Sequence, residues 1–198
     1  MDQMRVAFVP GVTPDKWKKV WWEKNPRIRF ELIPIQEDVQ RSVLDDGTAD
    51  MVIARLPVDL DSPAPLHCVR LYDEVQVVVA AKEHFVAAVE DQDVVAMADL
   101  DGEQLVQPHP SGWTPSADQL SFPEMSVKDA IEVAASGTGI VIVPMSIARL
   151  HHRKDVVQRA VDLEPTNVAL IWLRDADSPV HQDFVGVARG RRAGSSRG

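Results

Sequence analysis

The sequence predicts an α/β protein, and three observations predict it. Short apolar runs alternate along the whole chain with segments of helical period, the order that builds a mostly parallel sheet flanked by helices. The 198 residues are 45% hydrophobic, enough for a substantial core. No internal repeat and no Pro/Gly linker divides the chain into sequential domains.

Residues 4–9 (MRVAFV) are apolar and bounded by turn residues, which reads as a buried strand. In the PGVTPD that follows, Thr13 is the expected N-cap, Pro14 suits the first helical position and Asp15 complements the dipole. A helix is expected from 14 to about 24, with Trp17, Val20 and Trp21 as its buried stripe and Pro26 as its stop. Residues 28–34 alternate and form a second strand. Residues 37–46 form a short helix with Val39 and Val43 inward and Gly47 as its C-terminal cap. Strands follow at 50–56, 69–72 and 74–81, with a Pro- and Asp-rich loop at 57–65.

Residues 82–100 carry polar turns and a short helix near 93–100. A short strand is expected at 104–107, then a loop at 109–123 containing Pro110, Gly112, Pro115 and Pro123. Ser126 and Asp129 open a helix at 126–136, which Gly137 and Gly139 close. A strand at 140–143, a short helix at 146–152, an irregular strand at 156–163 and a strong strand at 167–174 follow. The last helix, 180–189, turns Phe184, Val187 and Ala188 inward.

The formal net charge of −9 argues against a nucleic-acid grip by the body of the protein, which would need a basic face. A single cysteine, Cys68, excludes an intrachain disulfide and fits a reducing compartment. The opening MDQMRVAFVPG has no apolar core of a signal peptide, and no stretch approaches ~18 apolar residues. The expected location is the cytoplasm, with no membrane partner. Arg189, Arg191, Arg192 and Arg197 make a basic end, and 191–198 is expected to be a disordered basic tail.

Segment order resembles the effector-binding (substrate-binding) domain of LysR-type transcriptional regulators. The resemblance runs through MRVAFVPGVTPDKWKKVW, NPRIRFELIP, the Leu44–Gly47–Asp50 pattern feeding MVIARLPVD, VVVAAKEHF, MADLDGEQLVQPHPSG and, most specifically, SVKDAIEVAASGTGIVIVPMSIA. It covers roughly 4–189. It implies a two-lobed type 2 periplasmic-binding-protein-like fold, each lobe a mixed, mainly parallel sheet flanked by helices. Lobe I would be 1–78 plus 170–190 and lobe II 79–169, with the effector between them. The family's winged helix-turn-helix is not matched, so DNA would be reached only through a module absent from this chain. The stretch 111–126 is shorter than the family's, which normally holds a full lobe II helix.

On this framework the candidate ligand-binding residues are Gly11, Val12 and Thr13, Arg55, Leu56 and Pro57, and His109, Ser111, Gly112, Trp113 and Thr114. The Gly11–Thr13 turn offers helix-start N–H groups and a hydroxyl to an anion, or Thr13 simply caps its own helix. Arg55, at a strand end, would pair a carboxylate, or else form an ion pair with Asp59 or Asp61. The loop 109–114 sets small polar groups beside a large ring, or folds Trp113 onto the core. Trp22 falls off the buried stripe and is a candidate dimer anchor.

No catalytic residue, cofactor or metal site is expected. His151 and His152 are adjacent, HExxH spacing is missing, and the Gly137–Gly139 turn follows a helix where a dinucleotide site would precede one. The expectation is a regulator's sensor for a small organic acid, working as a homodimer and not an enzyme. The alternatives are an enzyme of the same fold acting on a small carboxylic acid, or a transport-type solute-binding protein.

Overall fold

The structure is a computed structural model that describes residues 2–190; the expected tail at 191–198 lies outside the described residues. The elements run β1 (Gln3–Phe8), α1 (Asp15–Lys24), β2 (Arg29–Pro34), α2 (Ser42–Asp45), β3 (Met51–Arg55), β4 (Leu66–Glu74), β5 (Gln76–Ala81) and β6 (Val94–Val95). They continue with α3 (Val127–Ala135), β7 (Val141–Pro144), α4 (Met145–Leu150), β8 (Val156–Val161), β9 (Thr166–Leu173) and α5 (Pro179–Ala188). Two units result. Lobe I takes the described residues up to Asp73 and from Asn167 onward, and lobe II is Glu74–Thr166. The first changeover precedes β5 because that strand pairs along its length with β7 and β8.

Lobe I holds a five-stranded sheet of order β2-β1-β3-β9-β4, with β1 parallel to β2 and β3 and β3 antiparallel to β9. Alternate side chains leave opposite faces. Met51, Ile53, Leu170 and Trp172 pack with Trp17 and Trp21 of α1 and Phe184 of α5, whereas Val52, Ala54, Ala169 and Ile171 pack with Val43 and Leu44 of α2. Both faces are covered, which is why β3 reads as an unbroken apolar run. Trp21, Phe30 and Phe184 meet ring to ring at 5.3 to 5.7 Å.

Two local expectations change here. Thr13 is not the helix cap. Pro14 occupies that position, no side chain caps it, and its carbonyl receives the N–H groups of Trp17 and Lys18. Thr13 stands one residue too early for its hydroxyl to reach them. The helix expected at 37–46 divides into a 3-10 turn (Glu37–Val39) and the short α2. Gln40 falls at the break. Its buried amide donates to the Arg55 carbonyl at 2.9 Å and accepts the Arg55 N–H at 3.0 Å, a pairing that an unbroken helix would not deliver.

Lobe II holds a four-stranded sheet of order β6-β8-β5-β7. It is mixed, but not mainly parallel: β5 runs antiparallel to both β7 and β8, and β6–β8 is its parallel pair. Val77, Val79, Val141 and Val143 face α3 and α4, while Val78, Ala80 and Ile142 face Val86, Val95 and Leu100. Ser126 caps α3 by accepting the Asp129 N–H at 3.2 Å and donating to its carboxylate at 2.8 Å. Beyond the helix Gly137 adopts φ +80°.

The helix expected near 93–100 is β6 followed by a 3-10 turn at Met97–Leu100, because Val95 pairs with Val161 and Asp162 Oδ1 then accepts the Met97 N–H at 2.6 Å. The strand expected at 104–107 reduces to one parallel bridge, Leu105 to Ile140. Its other side is occupied by side chains. Gln104 donates to the Asp118 carbonyl at 3.0 Å and accepts the Leu120 N–H at 2.7 Å; Gln119 accepts the Leu105 N–H at 2.8 Å and donates to the Glu103 carbonyl at 3.0 Å. Each glutamine amide takes the place that a strand's peptide group would fill.

Candidate functional site

In lobe I the chain leaves β1 through Gly11, at φ +83°, and enters α1. Val12 turns into the core, while Thr13 is exposed. Arg55 closes β3 and is 5% exposed. Its guanidinium pairs with Glu37, and Nη2 donates to the Pro10 carbonyl at 3.1 Å. Asp59 accepts the N–H groups of Asp61 and Ser62. Arg55 thus ties the end of β3 to the approach to the Gly11–Thr13 turn. Beyond it, Leu56 donates its N–H to the Asn167 carbonyl at 2.9 Å and packs on the core, and Pro57 is exposed.

In lobe II the stretch after Val106 borders a pocket of about 340 Å³. His109, Gly112, Trp113 and Thr114 all line it. The loop is internally hydrogen-bonded. Ser111 N–H donates to His109 Nδ1 at 3.2 Å, the Ser111 hydroxyl lies 2.8 Å from the same nitrogen, and Trp113 N–H donates to that hydroxyl at 3.2 Å. Gly112, at φ +78°, lets its N–H return to the His109 carbonyl at 2.9 Å. With Nδ1 held as an acceptor, a neutral His109 carries its proton on Nε2. Burial pushes its pKa below the ordinary value, so the neutral ring is the form present at pH 7.

Trp113 lines the pocket and packs beside the core of Leu105, Ile140 and Val161. Leu120, Ser121 and Phe122 also line the pocket, at the end of the stretch where the sequence predicts only loop. The signal that could have found them is Gln104 and Gln119, two long amides flanking a stretch without helical or strand period. Ser111 serves the loop's hydrogen bonds and is not part of the lining.

Trp22 of α1 is 52% exposed, with the Lys18 ammonium 5.0 Å from its ring centre. Among the described residues no group of three or more His, Cys, Asp or Glu is arranged to hold a metal ion, and no helix is long and apolar enough to cross a membrane.

A family model described as the LysR substrate binding domain matches residues 20–193. Among solved structures, the effector-binding domain of BenM with its effector benzoate is similar at TM-score 0.74 and 20% identity, covering 95% of this chain and 90% of that one. The reduced form of OxyR is similar at TM-score 0.71 and 20% identity, covering 98% of both chains. Against full-length BenM the TM-score is 0.73 at 20% identity, and the match covers 95% of this chain and 66% of that one. A search of curated proteins found no significant match.

Proposed function

Because the chain belongs to the LysR substrate binding domain family, we propose that it is the effector-sensing part of a LysR-type transcriptional regulator. In this reading it binds a small organic acid in the cytoplasm, works as a homodimer, and leaves DNA to a module other than this one. The observation that carries the reading is the lobe II pocket. Its volume, about 340 Å³, suits a small organic molecule, and its walls are mainly apolar and aromatic with a few hydrogen-bonding groups.

The same pocket favours binding over catalysis. His109 is its one titratable lining residue, and general acid–base chemistry has no second group there to work with. The benzoate seen in the similar BenM domain supports a carboxylic acid as the first ligand to try. Calorimetric titration with a panel of small carboxylic acids, benzoate included, tests the proposal. Saturable binding that Thr114→Val or Trp113→Ala weakens is the expected result; no heat from any member of the panel refutes it. Titrating Thr13→Ala and Arg55→Lys alongside measures what the lobe I residues contribute.

A further inference from the structure

The eleven residues lining the lobe II pocket include no Arg, Lys, Asp or Glu. Trp113 and Phe122 supply flat apolar area, and Leu120 and Pro108 add to it. The hydrogen-bonding groups are neutral: the hydroxyls of Thr114 and Ser121 and the imidazole of His109. Gln119 also lines the pocket, but its amide is committed. Oε1 accepts the Leu105 N–H, and Nε2 donates to the carbonyls of Glu103 and Ala117. A cavity of ~150 Å³ admits a benzene ring, so about 340 Å³ accommodates a ring with a substituent.

From this we infer that the lobe II pocket selects an uncharged aromatic portion of the ligand and rejects a charged substituent on it. A carboxylate pressed between Trp113 and Phe122 in this half-open pocket would give up part of its water and meet no cation among the lining residues, a loss that neutral hydroxyls offset only in part. An amide or carbonyl of the same shape loses less on desolvation and has donors available from Thr114, Ser121 and His109 Nε2. The inference deepens the effector reading and rests on it for the idea that an acid is sensed. It adds that the acid group is recognised elsewhere and that specificity among acids is set by the neutral end.

The test uses benzoate, 4-carbamoylbenzoate, terephthalate and benzamide, titrated calorimetrically into the whole chain. Emission from Trp113, the one tryptophan of lobe II, is isolated by subtracting a Trp113→Phe control. The expected result is that 4-carbamoylbenzoate binds and terephthalate, its near-isostere with a second charge, binds at least about tenfold more weakly. Leu120→Arg should reverse that order, and this side chain is 57% exposed, so the change does not disturb the core. Terephthalate binding as well as the amide overturns the inference and leaves the effector reading intact. Benzamide binding where no acid does supports the inference and refutes the acid. No binding by any of the four overturns both.

Discussion

A methyl group added at Gly139 would stand 2.3 Å from the Gln104 carbonyl oxygen and 2.9 Å from its Cβ. That is roughly 1 Å inside a normal carbon–oxygen approach. The obstacle is backbone, so the strand end must move. Displacing it endangers the Ile140 N–H bond to the Gln104 carbonyl, 2.8 Å long, worth about 0.5–1.5 kcal/mol. Overpacking adds about 1–3 kcal/mol. Gly139→Ala should therefore destabilise lobe II by about 2–4 kcal/mol. In urea, with a slope near 2 kcal/mol/M, the lobe II midpoint falls by about 1–2 M. Amide hydrogen exchange should place the loss at residues 104–106, 118–120 and 140. Gly137→Ala is the control: its Cβ would meet nothing within 4 Å, but φ is +80°, so its cost of about 1–2 kcal/mol is conformational. Asn should recover part of that cost at 137 and none at 139. An unchanged midpoint for Gly139→Ala, with unchanged exchange at 104–106, would refute the close approach and the argument built on it.

Three further outcomes follow from lobe I. Phe184→Ala removes the fully buried ring between Trp21 and Phe30 and should cost about 3–5 kcal/mol, read by chemical denaturation; a loss under 1 kcal/mol would deny the aromatic cluster its role. His181, 1% exposed and 2.8 Å from the Ser178 hydroxyl, has its pKa lowered by burial against the pull of Asp50 and Asp177. The unfolded chain therefore binds the proton more readily, and stability drops as pH falls below about 6.5, by at most about 1.4 kcal/mol per pH unit. Carboxylates such as Asp59 and Asp101, whose pKa values are lowered by backbone and Ser116 hydrogen bonds, act only below about pH 4, and His109, lowered by burial in the same sense, shares the window; a slope between pH 7 and 5 that His181→Gln leaves undiminished would contradict the assignment to His181. Under the dimer proposal, Trp22→Ala should weaken self-association at least about tenfold in sedimentation velocity; an unaltered dimer constant removes Trp22 from the interface.

The chain's alternating pattern made most elements legible. The stripe of Trp17, Val20 and Trp21 faces the core as its spacing requires, and Ser126 caps α3 with Asp129. What the pattern missed were places where a side chain does the work of backbone. Gln40 breaks a helix to pair with Arg55, and Gln104 and Gln119 stand in for a strand; neither leaves a periodic trace. Strand direction in lobe II was also beyond local reading, because β5 is buried on both faces and so looks the same whichever way its neighbours run. Within the candidate site, the ring and small polar residues of 109–114 were conspicuous by type. Leu120 and Phe122 were not, since their position depends on the glutamine pairing and not on their neighbours in sequence.

The reciprocal grip of Gln104 and Gln119 bears on how such a pocket changes over evolutionary time. A wall hemmed into a sheet inherits the sheet's spacing, and an inserted residue would throw every later pair out of step. Here residues 118–120 are fastened to 103–105 by two amide heads on flexible stems. The exposed residues that line the pocket on either side are free to vary in chemistry while the sheet stays untouched. A descendant with a new appetite would need only new side chains here, and a directed library confined to the exposed lining positions 108, 114, 120 and 121 should yield altered selectivity with undiminished folding yield.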